Sequence, residues 1–176
     1  MMRKLLNEEL NRKSVDEFKQ ASKTPIIVVL DNVRSLNNVG SVFRTADAFL
    51  MEAVYLCGIT GTPPNKDIQK TALGSTDTVA WKHFATTLDA VNDLKQNNYK
   101  IFSIEQAEAS IMLNDFLPAK DEKFAIIFGN EVKGVQQDVI DASDGVIEIP
   151  QAGTKHSLNI AVSAGVVMWD LFQKVM

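Results

Sequence analysis

The hydrophobic positions change their spacing repeatedly along this chain, and the changes predict alternating strands and helices. The segment 25–31, PIIVVLD, is a continuous apolar run with the length of a buried strand. The next segment has its apolar residues at helical spacing, which predicts a helix from about residue 40 to 50. These helical positions are Val39, Val42, Phe43, Ala46 and Phe49.

The same two patterns recur as far as the C-terminus. Further strands are predicted at 53–58, 79–84, 99–105, 123–129 and 145–150. Further helices are predicted at 67–73, 88–97, 135–143 and 157–175, with a polar helical segment at 3–22. Strands that alternate with helices at short spacing predict an α/β domain with a mostly parallel sheet and helices on both faces. We expect residues 25–176 to form this domain, with residues 1–24 as a helical appendage.

Composition supports an ordinary globular domain. The 176 residues are 45% hydrophobic and 23% charged, which suffices for one core. The lone Cys57 cannot form an intramolecular disulfide, and His83 and His156 lie too far apart for zinc-ligand spacing, so we expect no metal. The N-terminus carries charges where a signal peptide is apolar, and no apolar run is long enough to span a bilayer. We therefore expect a cytoplasmic protein that does not bind membranes.

The net charge of −4 argues against a nucleic-acid binder that is basic over its whole surface. Local basic patches remain compatible with phosphate binding, because affinity depends on the charges near the ligand. A solvated polar face explains the same residues. The basic residues concerned are Arg3, Lys4, Arg12, Lys13, Lys19 and Lys23 in the first segment, and Lys66, Lys70, Lys82 and Lys155 near predicted loops.

The first polar loop, after the strand 25–31, contains an amide and a guanidinium. Asn38 precedes Gly40, and Arg44 follows one helical turn later. An Arg fork matches a phosphate, and a helix N-terminus beside it also favours an anion. A purely structural interpretation has Asn38 as a helix cap and Arg44 paired with Asp47. Spacing alone leaves both interpretations open.

The second loop, GNEVKG, follows the apolar strand 123–129. Its glycines, Gly129 and Gly134, allow positive φ and a close approach of the backbone to a ligand. The loop lacks the Gly-Lys-Ser/Thr ending of a P-loop, and the chain lacks the Rossmann fingerprint, which disfavours nucleoside triphosphates and nicotinamide cofactors. Glu131 has a structural alternative as the cap of the following helix.

The third loop joins the last predicted strand to the last helix. Pro150 ends the strand, Gly153 lies in a turn, and Ser157 is a natural N-cap. A nucleophilic Ser needs a base in reach, and the adjacent His156 rarely has that geometry, which disfavours a hydrolase. The final helix carries small residues that fit core packing or a subunit interface.

Together the three loops resemble the ordered motifs of the SpoU/TrmH methyltransferases of the SPOUT superfamily. These motifs are the Asn and Arg of NVGSVFR, the Gly-x-Glu-x-x-Gly after an apolar strand, and Ile-Pro-x-x-Gly followed by Ser-Leu-Asn. The resemblance covers about residues 25–174. It implies an α/β fold with a deep C-terminal trefoil knot, a homodimer, and S-adenosylmethionine as cofactor, features that the pattern analysis does not provide.

The resemblance also implies site residues. The catalytic group is expected to be Asn38, Arg44, Glu131, Ser157 and Asn159. The cofactor is expected to contact Gly129, Ile149 and Leu158, to be enclosed by Ser103, Ile104 and Glu105, and to lie near Gly134, Pro150 and Gly153.

The implied activity is methyl transfer to a ribose 2′-hydroxyl of tRNA or rRNA, with guanosine in tRNA slightly favoured. Arg44 is expected to approach the 2′-hydroxyl and its phosphate, although an Arg pKa above about 12 makes it an awkward base. We expect RNA to be recognised by the leading helix, by the dimer surface or by a partner protein. The alternatives are a non-catalytic cofactor or RNA-binding module of the same fold, a base methyltransferase of the same superfamily, and a domain for another nucleotide.

Overall fold

The computed structural model describes residues 2–119 and 121–175, and within them it has seven parallel strands in one sheet. The strands are β1 Thr24–Asp31, β2 Met51–Cys57, β3 Ala80–Phe84, β4 Lys100–Ile104, β5 Ile111–Met112, β6 Phe124–Phe128 and β7 Gly145–Glu148. Their order across the sheet is β3-β2-β1-β6-β4-β7-β5. The prediction of an α/β fold with a parallel sheet is confirmed.

Helices cover both faces of this sheet. They are α1 Val15–Gln20, α2 Leu36–Ala48, α3 Lys66–Ala72, α4 Ser75–Thr78, α5 Thr87–Gln96, α6 Gln137–Ala142 and α7 Ile160–Val175, with a 3-10 helix at Asn7–Leu10. No helix within the described residues combines the length and apolarity needed to cross a lipid bilayer.

The central strand β1 supplies two separate cores, because successive side chains of a strand point to opposite faces. Val28 and Leu30 pack in the core that contains the inner sides of α2 and α7. Ile27 and Val29 pack in the opposite core, which contains the inner sides of α5 and α6. The continuous apolar run of β1 therefore reflects burial on both faces.

The strand order places the carboxyl ends of β1, β6, β4 and β7 side by side. The chain builds outward from β1 to β3 and then crosses to β4 on the other side, so β1 and β6 meet where the order reverses. In open α/β sheets, ligands bind outside the carboxyl ends of strands at such a point. The three polar loops of the sequence leave the sheet along this edge.

The structure corrects the predicted helix at 3–22. A 3-10 turn ends where Asn11 takes a left-handed φ of 47°, and α1 starts afresh with Ser14 accepting a hydrogen bond from Glu17 N. Phe18 of α1 is buried in the core shared with α2, so this part of the leading segment packs on the domain.

Two helix starts also differ from the prediction. The helix α2 begins at Leu36 with Ser35 as its cap, so the structural interpretation of Asn38 as that cap is wrong. The helix α7 begins at Ile160, and the Asn159 side chain accepts hydrogen bonds from Ala161 N and Val162 N at 2.9 and 3.4 Å. Asn159, and not Ser157, therefore caps α7.

The contact between α2 and α3 depends on a glycine. A Cβ on Gly40 would lie 2.2 Å from both Ile68 O and Thr71 Oγ1. Because these distances are far below van der Waals contact, α3 packs this closely only against a residue without a side chain.

We predict that Gly40→Ala destabilises the protein by about 1–3 kcal/mol, because overpacking against α3 outweighs the gain in helix propensity. Chemical denaturation measures this free energy of unfolding. Asn37→Ala, at an exposed position of the same helix, serves as the control and should cost little. A Gly40→Ala protein as stable as the wild type would show that α3 can move away without cost.

Candidate functional site

A cavity of about 530 Å³ opens at the carboxyl edge of the sheet. It lies between the ends of β4 and β6, the loop 129–136 and the segment before α7. The cavity is lined by Ile104, Glu105, Gln106, Phe128, Gly129, Asn130, Glu131, Val132, Lys133, Gly134, Ile149, Gln151, His156, Ser157, Leu158, Asn159, Ile160 and Ser163. Its volume lies in the usual range of about 300–1,000 Å³ for small-molecule sites.

Glu131 connects the loop after β6 to the loop after β1. Its carboxylate accepts hydrogen bonds from Arg34 N at 3.0 Å and Ser35 N at 2.8 Å. Partial burial would raise the pKa of Glu131, but these amides and the side chain of Asn38 lower it overall. The interpretation of Glu131 as a cap for the helix after it is therefore wrong: it binds the amides just before α2.

Two asparagines extend this connection to the last helix. Asn159 Nδ2 donates to Asn38 Oδ1 at 3.3 Å, and Asn38 N donates to Ser35 Oγ at 3.3 Å, while Ser35 N donates to Glu131. Asn38, Glu131 and Asn159 come from three separate loops of the sequence, and hydrogen bonds that pass through Ser35 join them in one group. Three of the five predicted catalytic residues are thereby brought together, and Ser157 lines the same cavity.

Arg44 lies further along α2, outside the lining of the cavity. Its side chain is exposed, and within the described residues it has neither an ion pair nor a side-chain hydrogen bond. The structural alternative for Arg44, a pair with Asp47, is not formed in the described residues, where Asp47 accepts a hydrogen bond from Thr78 Oγ1. The side chain of Arg44 is thus exposed to solvent.

Most of the predicted cofactor residues line the cavity, and three do not. Ile104, Glu105, Gly129, Gly134, Ile149 and Leu158 border it. The side chain of Ser103 is completely buried and bonded to Ser143 Oγ at 2.9 Å, because alternation along β4 turns it away from the face of Ile104. Pro150 faces a different groove, and Gly153 lies in the exposed loop away from the cavity.

The loop 129–136 is compact enough to exclude side chains at both predicted glycines. A Cβ on Gly129 would lie 2.0 Å from Gly134 C and Val135 N. Gly134 has a φ of 68°, and a Cβ there would lie 2.9 Å from Glu105 Oε2. Gly134 N and O pair with Asn130 O and N across the loop. These two glycines let the backbone border the cavity directly.

A second, mostly apolar groove lies on the outer side of α7. It is lined by Leu113, Asn114, Ile149, Pro150, Ala161, Val162, Gly165, Val166, Trp169 and Asp170. The Val162, Val166 and Trp169 side chains are 52%, 41% and 55% exposed. A contiguous exposed apolar surface of this kind is typical of an interface.

Sequence reasoning missed several lining residues and one buried carboxylate. Gln106, Asn130, Lys133, Gln151 and His156 border the cavity without belonging to the predicted set. Asp31 is fully buried at the end of β1. A charged residue at the end of an otherwise apolar strand was a signal that could have identified Asp31. Within the described residues, no cluster of three His, Cys, Asp or Glu side chains could hold a metal ion.

Comparison with known proteins assigns this fold and these motifs to one family. The model of the SpoU rRNA Methylase family matches residues 25–169, and the chain belongs to this family. The expected family is confirmed.

Individual relatives agree with this assignment. The chain is 28% identical over 153 residues to a 23S rRNA (guanosine-2′-O-)-methyltransferase of Neisseria meningitidis, covering 87% of this chain and 60% of that one. A structure of an AdoMet-bound rRNA methyltransferase from Sinorhizobium meliloti matches 94% of this chain and 62% of that chain, with 25% identity and a TM-score of 0.80. The A. aeolicus TrmH/SpoU tRNA modifying enzyme, at 22% identity and a TM-score of 0.77 over 89% of this chain and 78% of that one, shares the fold. The chain spans 58% to 67% of the length of the curated relatives that it matches.

We predict that the stability supplied by Glu131 depends on pH. Because its folded-state pKa lies below the ordinary value of 4.5, this contribution is present above pH 4.5 and is lost as pH falls through the folded pKa. The difference in melting temperature between wild type and Glu131→Gln should be largest at neutral pH and should narrow in acid. Glu108→Gln, at an exposed position, is the control. A difference that stays constant with pH would contradict the assigned amide contacts.

Proposed function

We propose that this chain is an S-adenosylmethionine-dependent RNA methyltransferase acting on a ribose 2′-hydroxyl of tRNA or rRNA, with a tRNA guanosine as the first substrate to test. The observation that carries the proposal is the hydrogen-bonded group of Asn38, Glu131 and Asn159, which joins a cofactor-sized cavity to the helix that bears Arg44. The names of its relatives, rRNA and tRNA methyltransferases among them, support the same reaction.

The residues of the cavity fit S-adenosylmethionine. Ile104, Ile149 and Leu158 offer an apolar surface to the adenine ring, and the backbone at Gly129 and Gly134 offers polar groups at close range. Glu105 places a carboxylate in the same lining, where it would accept hydrogen bonds from the hydroxyl or amino groups of the cofactor. We propose these six residues as the cofactor site.

The chemistry requires a methyl donor and an activated ribose oxygen. When bound, the cofactor would supply the electrophilic methyl group. A ribose hydroxyl is a poor nucleophile, so a positive clamp that stabilises the developing alkoxide lowers the barrier. Arg44 has the fork for this clamp and for the adjacent phosphate, and its exposed side chain is available to an RNA. Since an Arg pKa exceeds about 12, the clamp suits it better than proton abstraction.

The proposed function is tested by an assay of labelled methyl transfer from S-adenosylmethionine. Unmodified tRNA and unmodified rRNA are used as substrates in separate reactions. Label recovered in a 2′-O-methyl nucleoside after digestion would support it and identify the RNA. Label in a base would replace it with base methylation. Measurable cofactor binding without label in either RNA would favour the non-catalytic module.

We predict that Arg44→Ala lowers the rate of methyl transfer by about 100-fold or more, the usual effect of removing a charge-stabilising donor. Arg44→Lys keeps the charge and loses the fork, so it should recover only part of the rate. Cofactor affinity, measured by calorimetry, should stay unchanged in both variants, because Arg44 does not line the cavity. An Arg44→Ala protein with the full rate would remove Arg44 from the mechanism.

We propose a second copy of this chain as the occupant of the apolar groove on α7. A homodimer is what the SpoU/TrmH resemblance implies, and the groove contains Gly165, where a Cβ would meet nothing within 4 Å in this protomer. The groove and the cavity share Ile149, so a partner seated there would border the cofactor site.

We predict that Val166→Glu converts a dimer into monomers, because it places a charge in the apolar groove. Analytical ultracentrifugation measures the change. The matched control is Leu73→Glu, at a residue that is 65% exposed and outside the groove, and it should leave the dimer intact. A wild-type protein that sediments as a monomer at high concentration would rule out the proposed dimer.

We also propose a boundary and a topology. Residues 25–176 would form the methyltransferase domain, preceded by the leading segment 1–24 that contains α1, and a family match that begins at residue 25 supports this boundary. The C-terminal segment would thread a deep trefoil knot, as the SpoU/TrmH resemblance implies.

A further inference from the structure

Asn32, directly after β1, connects two loops that are distant in sequence. It takes a left-handed φ of 54°, which Asn adopts more readily than most residues. Its Oδ1 accepts a hydrogen bond from Ile59 N at 3.2 Å, and its Nδ2 donates to Gln136 Oε1 at 2.6 Å. Its carbonyl oxygen accepts from Asn130 Nδ2 at 2.8 Å. Asn32 thus holds the loop 129–136 near both of its ends.

Gln136 is held a second time through its backbone. Gln136 N donates to Asp31 Oδ2 at 3.0 Å, and the other oxygen of this buried carboxylate accepts hydrogen bonds from Thr87 Oγ1 and Asn32 Nδ2. The side chain of Gln136 is exposed and lies outside the cavity lining, so its bond to Asn32 is its main contact with the rest of the molecule.

We propose that Asn32 and Gln136 are positioning residues that hold the loop 129–136 in the conformation that binds the cofactor. The inference rests on the proposed function, since it concerns the S-adenosylmethionine cavity. The loop contributes Val132, Lys133 and Gly134 to that cavity. If the loop already has its binding conformation, binding does not include the entropic cost of ordering the loop. If the loop also populates other conformations, the apparent affinity falls in proportion to the fraction of molecules that are competent to bind.

The test compares Gln136→Met with the same substitution at the neighbouring glutamine. Gln136→Met keeps the size of the side chain and removes the acceptor for Asn32. Gln137→Met is the matched control, because Gln137 is exposed and its Nε2 donates to Asp141 Oδ1 within α6. Calorimetry with S-adenosylmethionine should give a dissociation constant about fivefold higher for Gln136→Met, the effect of one hydrogen bond. Gln137→Met should match the wild type.

Two more variants separate positioning from general stability. Gln136→Glu retains an acceptor for Asn32 Nδ2 and should recover most of the affinity. Asn32→Gly, which tolerates the positive φ, should weaken binding further, and adding Gln136→Met to it should have no additional effect, because the bond is already lost.

The outcomes distinguish this inference from the function on which it rests. Equal affinity of wild type and Gln136→Met would overturn the positioning role and leave the proposed function standing. Equal loss in Gln136→Met and Gln137→Met would also overturn it, by showing a general effect of α6. A wild-type protein that does not bind S-adenosylmethionine would overturn the proposed function and, with it, this inference.

Discussion

The buried carboxylate of Asp31 is the constraint on which the edge of the sheet depends. A carboxylate in a fully buried position costs several kcal/mol unless hydrogen bonds compensate it. Asp31 receives them from Thr87 at the start of α5, from Asn32, and from the backbone of Gln136 before α6. The starts of α5 and α6 must therefore lie next to the carboxyl end of β1. The loop 129–136 is then fixed at one end by β6 and at the other end by the contact with Asp31.

From this anchor, the polar contacts continue across the edge of the sheet to the other two polar loops. Glu131 reaches from the anchored loop to the amides before α2, and Asn38 reaches from α2 to Asn159 at the start of α7. Each contact joins segments that are far apart in the sequence. Glu131 and Asn159 border the cavity, and Asn38 belongs to the helix that bears Arg44, so this hydrogen-bonded group connects the cavity to that helix.

The sequence predicted the elements that have a strong periodicity and the loops between them. The strand of residues 25–31 was identifiable because both of its faces are buried. The start of α2 was placed too late and the start of α7 too early, because their caps, Ser35 and Asn159, lie outside the apolar pattern. The two-residue strand β5 has no pattern of its own, and the burial of Ser103 depends on the register of β4. The hydrogen bonds of Glu131 required knowledge of which loops are neighbours, which is set by the strand order.

That strand order also has a consequence for how the chain folds. Ile26 of β1 pairs with Phe124 of β6. One edge of β1 therefore has no strand to pair with until the ribosome has synthesised about a hundred more residues. Contacts of such separation close large loops and slow the search for the native state. Until β6 arrives, β1 presents an open apolar edge that other chains can pair with. We therefore expect a nascent chain that ends before β6 to need protection from aggregation, even though β1, β2 and β3 are already complete.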